Sequence, residues 1–304
     1  MANWFGEWDS TPTTILADLK SRILNSSDWA NIAGGTGSVM SATTTRGAQM
    51  AVDLADAAVS SRQLQIGVYR TYSGTGTDKL VRYLCWKDGG TATMTDVIHC
   101  MLSVGKDHLF IALEGPRPGE VNAQSVADGT PRQCFFLGDL VPYVAGEPNP
   151  VVVLLANTSN ASTQTTELVW VSRNRANTSS WVPARLVSLC QPNVNTNAAF
   201  VSPIRYCQAD GNTYMWPYVV IEEVAGLRGR LGKAFLVGWY TQSIGQTAAD
   251  APPAVYTRVT YNAETYIYVQ PHRQLGGAGI QSRSALGWSN YSGAPSPIIA
   301  VPTQ

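Results

Sequence analysis

The chain has 304 residues, 21 basic and 21 acidic side chains and a formal net charge of zero, with charged residues at 14% of the whole, well below the usual quarter. Its arginines are scattered, with close pairs only at Arg173 with Arg175 and Arg228 with Arg230, which argues against nucleic-acid binding driven by counterion release. The longest apolar run, Val151 to Ala156, falls far short of the ~20 residues of a spanning helix, and MANWFGEWDS lacks the charge and apolar run of a secretory leader, so neither membrane insertion nor export is expected.

The first element read along the chain is a helix over 12–24. Ser10 or Thr11 can cap it and Pro12 suits its first position. Ile15, Leu16, Leu19 and Ile23 recur at helical spacing, and Lys20 and Arg22 lie toward the end where the helix dipole favours cations. So short a helix is not stable alone, so its apolar stripe must dock on something. Residues 33–38, AGGTGS, read as a flexible joint, and Met50 to Leu54 as a strand.

From Gln63 the chain becomes strand-rich. QLQIGVYRTY and KLVRYLCWK flank a Gly-rich turn, and DVIHCMLSV and HLFIALEG flank GKD; each pair predicts a hairpin. RQCFFLGDLVPYV predicts a strand ending near Pro142, after a Pro- and Gly-bearing loop, EGPRPGEVNAQSVADGTP. Further strands are predicted in PVVVLLAN, TELVWVSRNR, SWVPARLVSLC, TYMWPYVVIEEV, KAFLVGWYTQ, AVYTRVTY and TYIYVQ. From about Gly276 the chain is rich in Gly, Ser and Pro without periodicity, and an extended tail is expected. The predicted fold is mainly β: two packed antiparallel, sandwich-like halves with a short N-terminal helix. The expected division is an N-terminal helix and docking segment at 1–60, β-rich domains at 61–148 and 149–275, and the tail at 276–304.

The residues that carry chemistry are few. His99 and Cys100 are strand neighbours, so their side chains point to opposite faces and cannot share a metal. His108 follows Asp107 in a turn and His272 follows Pro271 in a loop; no G-x-S-x-G elbow supplies a nucleophile for either, and both read as surface histidines. The acids, among them Glu114, Glu120, Asp139, Glu167, Glu222 and Glu223, are dispersed and give no catalytic pair. The cysteines (Cys85, Cys100, Cys134, Cys190, Cys207) are odd in number and widely spaced, and read as free thiols. AGGTGS lacks the pattern of a phosphate loop, and neither a zinc spacing nor a calcium loop is present. The expectation is therefore a protein that is not an enzyme and needs no cofactor or metal.

What the sequence has in abundance is aromatic surface, with nine Trp and thirteen Tyr. Trp4, Phe5 and Trp8 precede the predicted helix, while Pro295, Pro297, Ile298 and Ile299 lie in a tail almost free of charge. Both groups are expected to be assembly contacts, since a large aromatic contributes about 2–3 kcal/mol when buried. Trp and Tyr also build sugar-stacking platforms, which keeps a glycan-binding reading open.

Four segments, TTILADLKSRILNSSDWANI, HLFIALEGPRPGE, CFFLGDLVPY and EEVAGLRGRLGKAFLVGWY, resemble virion structural proteins of tailed bacteriophages, encoded among tail and baseplate genes. Phage-like contractile particles use similar parts. The resemblance touches about a fifth of the chain, in order. It implies a tail, baseplate or neck component present in several copies, assembled in the host cytoplasm and located in the virion. Its partners would be other virion subunits and copies of itself. The alternative is a receptor- or glycan-binding module on the particle surface, meeting a host surface glycan; a polysaccharide hydrolase stands third.

Overall fold

Short runs that alternate apolar and polar residues can bury one face only as strands, and nearly all such runs here do so. The computed structural model describes residues 4–32, 38–56, 63–85, 97–114, 132–143, 151–156, 168–173, 181–187, 216–222, 228–240, 258–261, 263–269 and 296–303. Within them lie one helix, α1 (Ile15–Leu24), and nineteen strands, so the chain is mainly β with antiparallel pairing throughout.

A five-stranded sheet runs in the order β2 (Ala30–Asn31), β3 (Val39–Thr43), β4 (Gln49–Asp56), β5 (Gln63–Tyr69), β8 (Leu80–Cys85). The expected hairpin of β5 with β8 is present, but a small ribbon of β6 (Thr71–Tyr72) and β7 (Gly76–Thr77) fills its connection. A twelve-stranded sheet begins with β1 (Trp4–Ser10), β9 (Ile98–Gly105), β10 (His108–Glu114), β11 (Arg132–Pro142) and β12 (Val151–Ala156). It continues through β13 (Leu168–Arg173), β14 (Trp181–Val187), β15 (Trp216–Glu222), β16 (Arg228–Tyr240), β19 (Ser296–Pro302), β18 (Glu264–Val269) and β17 (Arg258–Tyr261).

Period-two alternation then sets the layers. Leu102, Leu109, Ile111, Phe135, Leu137 and their neighbours face the small sheet, where Met40, Met50, Val52, Leu64 and Ile66 meet them in one core. The helical stripe of Ile15, Leu19 and Ile23 closes the same core, each residue contributing roughly 2 kcal/mol by burial. Trp29 joins it, its indole N–H donating to the Gly105 carbonyl at 3.0 Å. The opposite face of β9 and β10 is buried as well, at Met101, Ser103, His108 and Phe110. There Ser103 Oγ donates to the Pro302 carbonyl of β19, and the Arg258 guanidinium of β17 stands over the Phe5 ring of β1 at 5.3 Å. The two ends of the large sheet thus meet, and β1–β9–β10 is the middle of three layers.

β11 is the hinge of the topology. At ~3.3 Å per residue its eleven residues run about 36 Å, enough to serve several neighbours. It pairs with β10 and β12, and its end pairs Leu140 to Leu231, Val141 to Arg230 and Pro142 to Gly229 of β16. With the successive pairings of β12 through β16, this closes an antiparallel circuit of six strands, the arrangement of a small barrel. Gly229 permits the crossing, because a Cβ there would meet the Val141 carbonyl oxygen at 2.7 Å.

Several expectations are corrected. The helix begins at Ile15, not at residue 12: Thr11 to Thr14 form a turn, with Thr14 and Ile15 both donating to the Thr11 carbonyl. Thr14 occupies the N-cap position without a side-chain cap bond, while Ser10 Oγ donates to Asp18 Oδ2 at 2.7 Å. The segment before the helix is a strand, β1, paired along its length with β9. Along the chain β4 pairs with β5, and β11 with β12. The expected tail ends in β19, which pairs with β16 and β18. The loop at 115–131 lies outside the described residues.

Candidate functional site

Polar side chains gather where β9, β10 and β11 meet β16, β18 and β19. His108 opens β10, and its parity turns it toward the layer of β19 rather than the small sheet. It is 0% exposed. Its Nε2 lies 2.7 Å from Ser103 Oγ, and that hydroxyl donates to the Pro302 carbonyl at 2.5 Å. The hydroxyl proton is therefore committed to the carbonyl, so the ring carries its proton on Nε2 and donates to Oγ. Nδ1 has no hydrogen-bond partner among the described residues. Burial, aided by the charge of Lys233, pushes the imidazole down to about 3. A neutral, buried ring that donates to the serine is the reverse of a general base, so this pair ties layers together and presents no nucleophile. The expectation of His108 as a surface residue is thus overturned.

Asp139 lies one residue beyond Gly138, the strand partner of His108. Its parity on β11 matches Phe135 and Leu137, toward the small sheet. It is 4% exposed, and its Oδ1 has no hydrogen-bond partner among the described residues. Arg46, from the turn between β3 and β4, reaches it at 3.9 Å and donates to the Leu140 carbonyl. Beside Arg46, the Thr45 N–H and hydroxyl donate to the Asp107 carboxylate at 2.6 and 3.0 Å. On β16, Lys233 pairs with Glu264 at 2.5 Å, and the Tyr266 hydroxyl donates to the same carboxylate, which holds Glu264 below the usual carboxylate range despite its partial burial.

The predicted assembly residues divide. Trp4 and Trp8 face the helix and pack against the main core, half-buried, with the Arg22 guanidinium 5.9 and 4.1 Å from their rings. Trp4 folds back over Gly6, where a Cβ would meet its ring at 2.4 Å. Phe5 points to the other face, under Arg258. Pro297, Ile298 and Ile299 occupy β19, opposite Trp239, Gly238 and Leu236 of β16; Pro295 lies outside the described residues. The aromatic and the proline-bearing groups thus belong to the two meeting ends of one sheet.

His99 and Cys100 do face opposite sides. His99 Nδ1 is 3.0 Å from Asp9 Oδ1 and Nε2 is 3.7 Å from Glu7, whereas Cys100 is a buried free thiol that burial pushes upward. Cys134 lies half-buried on β11. Among the described residues no cluster of three His, Cys, Asp or Glu could hold a metal ion. Glu114 and Glu222 end their strands, while His272, Glu120, Glu167, Glu223, Cys190 and Cys207 lie outside the described residues. No protein-family model matches the chain, and neither does any curated protein.

Proposed function

We propose that the chain is a structural subunit of a tailed-phage particle, or of a related contractile particle, acting through contacts with copies of itself and other subunits. The observation that carries this reading joins sequence to fold. The four segments that resemble phage virion proteins fall on α1, β10, β11 and β16. Three of these are successive partners, β10 with β11 and β11 with β16, at the point where the layered part meets the six-strand circuit. The likeness therefore concentrates in one connected part of the molecule. The sparse charge supports the same reading, because neutral polar surface loses little when another protein removes its water. Tyr143, half exposed just past the end of β11, and the half-buried Trp4 and Trp8 offer aromatic contact area.

Quantitative mass spectrometry of gradient-purified particles from the source culture tests the proposal. The chain should remain with the particles through a high-salt wash, at a fixed ratio to the other virion proteins. Recovery only in the soluble fraction would refute it.

A further inference from the structure

The strand β1 pairs with β9 along its whole length, and on the face turned toward β19 it meets a histidine. Asp9 stands directly opposite His99, and Glu7 lies diagonally from it, because Glu7 pairs with Met101. The His99 side chain is 5% exposed, and its two ring nitrogens face different carboxylates. Nδ1 is 3.0 Å from Asp9 Oδ1, a hydrogen-bond distance, and Nε2 is 3.7 Å from Glu7 Oε2, an ion-pair distance. The two carboxylates reach solvent, two residues apart on one face of β1, where they repel each other.

We propose that His99 is an acid-engaged latch that holds β1 on β9, gripping both carboxylates when the ring is charged and one when it is neutral. A charged imidazolium donates from both nitrogens, so Asp9 and Glu7 are each drawn to it and their mutual repulsion is offset. A neutral ring has one N–H. Its proton on Nδ1 keeps the bond to Asp9 and turns a lone pair toward Glu7; on Nε2 it leaves the Asp9 carboxylate against a lone pair at 3.0 Å. Both contacts therefore strengthen as the ring takes up its proton. Since β1 covers the edge of β9 and carries Trp4, Phe5 and Trp8, the latch governs how firmly that edge and those rings are held.

Other charges on the packed elements stand as follows. On β10, Glu114 pairs with His99 through the backbone, and His108 is neutral down to about 3. On β17, the Arg258 guanidinium stands 5.3 Å from the Phe5 ring, beside Glu7 on the same face of β1. Lys233 and Tyr266 are both engaged by Glu264. On α1, across the sheet, Asp18 accepts from Ser10 and Arg22 lies over the Trp8 ring. Because the charged ring favours the docked strand, the grip is full below pH ~6.5, the ordinary imidazole value, and is lost as pH rises past the midpoint of the folded ring. With both carboxylates open to solvent the effect lies at the low end for close opposite charges, about tenfold in the opening equilibrium of β1.

Hydrogen exchange on the full chain tests this at the β1 amides that donate to β9, with His99→Gln as reference: it keeps a donor for Asp9 but cannot charge, and it retains His108 and Asp139 with their own pH responses. The wild-type protection factor, divided by that of the variant, should fall about tenfold from pH 6 to pH 8.5. The His99 ring followed by NMR should titrate at lower pH in Glu7→Gln than in wild type, a change that a purely structural contact does not produce. Protection that runs parallel in wild type and His99→Gln, or a His99 midpoint that stays or rises in Glu7→Gln, would overturn the proposal. If His99→Gln does not fold, the two midpoints decide.

Discussion

Replacing Ser103 by Ala tests the layered architecture at its most buried polar point. The hydroxyl stands between His108 Nε2 at 2.7 Å and the Pro302 carbonyl at 2.5 Å, and Ser103 and His108 are fully buried. Removing Oγ leaves a ring N–H and a strand carbonyl without partners, and each stranded buried group costs about 1–3 kcal/mol. The expected loss is therefore about 2–6 kcal/mol, far above the usual effect of a serine-to-alanine change on a surface. Urea unfolding at pH 7.5 measures it, and limited proteolysis at the C-terminus provides a second reading, because β19 loses its tie to the middle layer. The double variant Ser103→Ala with His108→Leu removes the stranded ring as well. Its loss should be smaller than the sum of the two single losses by about 1 kcal/mol or more. A Ser103→Ala protein within ~0.5 kcal/mol of wild type, with unchanged cleavage, would refute the reasoning that joins β9 to β19.

Other outcomes follow from named contacts. Gly229→Ala should cost about 1–3 kcal/mol in urea unfolding, since the new methyl meets the Val141 carbonyl at 2.7 Å. Leu19→Ala, which empties a fully buried site under α1, should cost about 2–5 kcal/mol by the same measurement. The two buried titrating groups should oppose each other: His108, titrating below its unfolded value, stabilises above pH ~6.5 and loses that as pH falls toward ~3, whereas Asp139 gains as pH falls from ~7 to ~4. Between pH 4 and 6.5, Asp139→Asn should therefore make urea stability fall more steeply with acid than in wild type, and His108→Leu should reverse the slope; parallel profiles for all three would contradict the assignment.

How much of this was legible in the sequence depends on how far each signal reaches along the chain. The strands of the two hairpins and of β11 through β16 declare themselves by alternation and turn residues, which are local. β1 was legible in principle: Trp4, Gly6 and Trp8 alternate with Phe5, Glu7 and Asp9, but the Trp-rich start read as a docking arm ahead of the helix. His108 read as a turn residue because Gly105, Lys106 and Asp107 precede it; the strand that buries it lies 199 residues beyond Ser103. Asp139 carried a quieter signal, a carboxylate at the inward parity of the apolar run CFFLGDL, where period two places it beside Phe135 and Leu137. Its partner Arg46, 93 positions away, follows from no local pattern. The closing of the six-strand circuit is equally remote from local pattern, since the pairing of the end of β11 with β16 about 90 residues later reveals it.

Image reconstruction of the intact particle tests the central proposal most directly. The account predicts density for the three-layer body and its six-strand circuit in several symmetry-related copies, each in contact with neighbouring subunits. A complete reconstruction, with every density assigned to other chains, would contradict it.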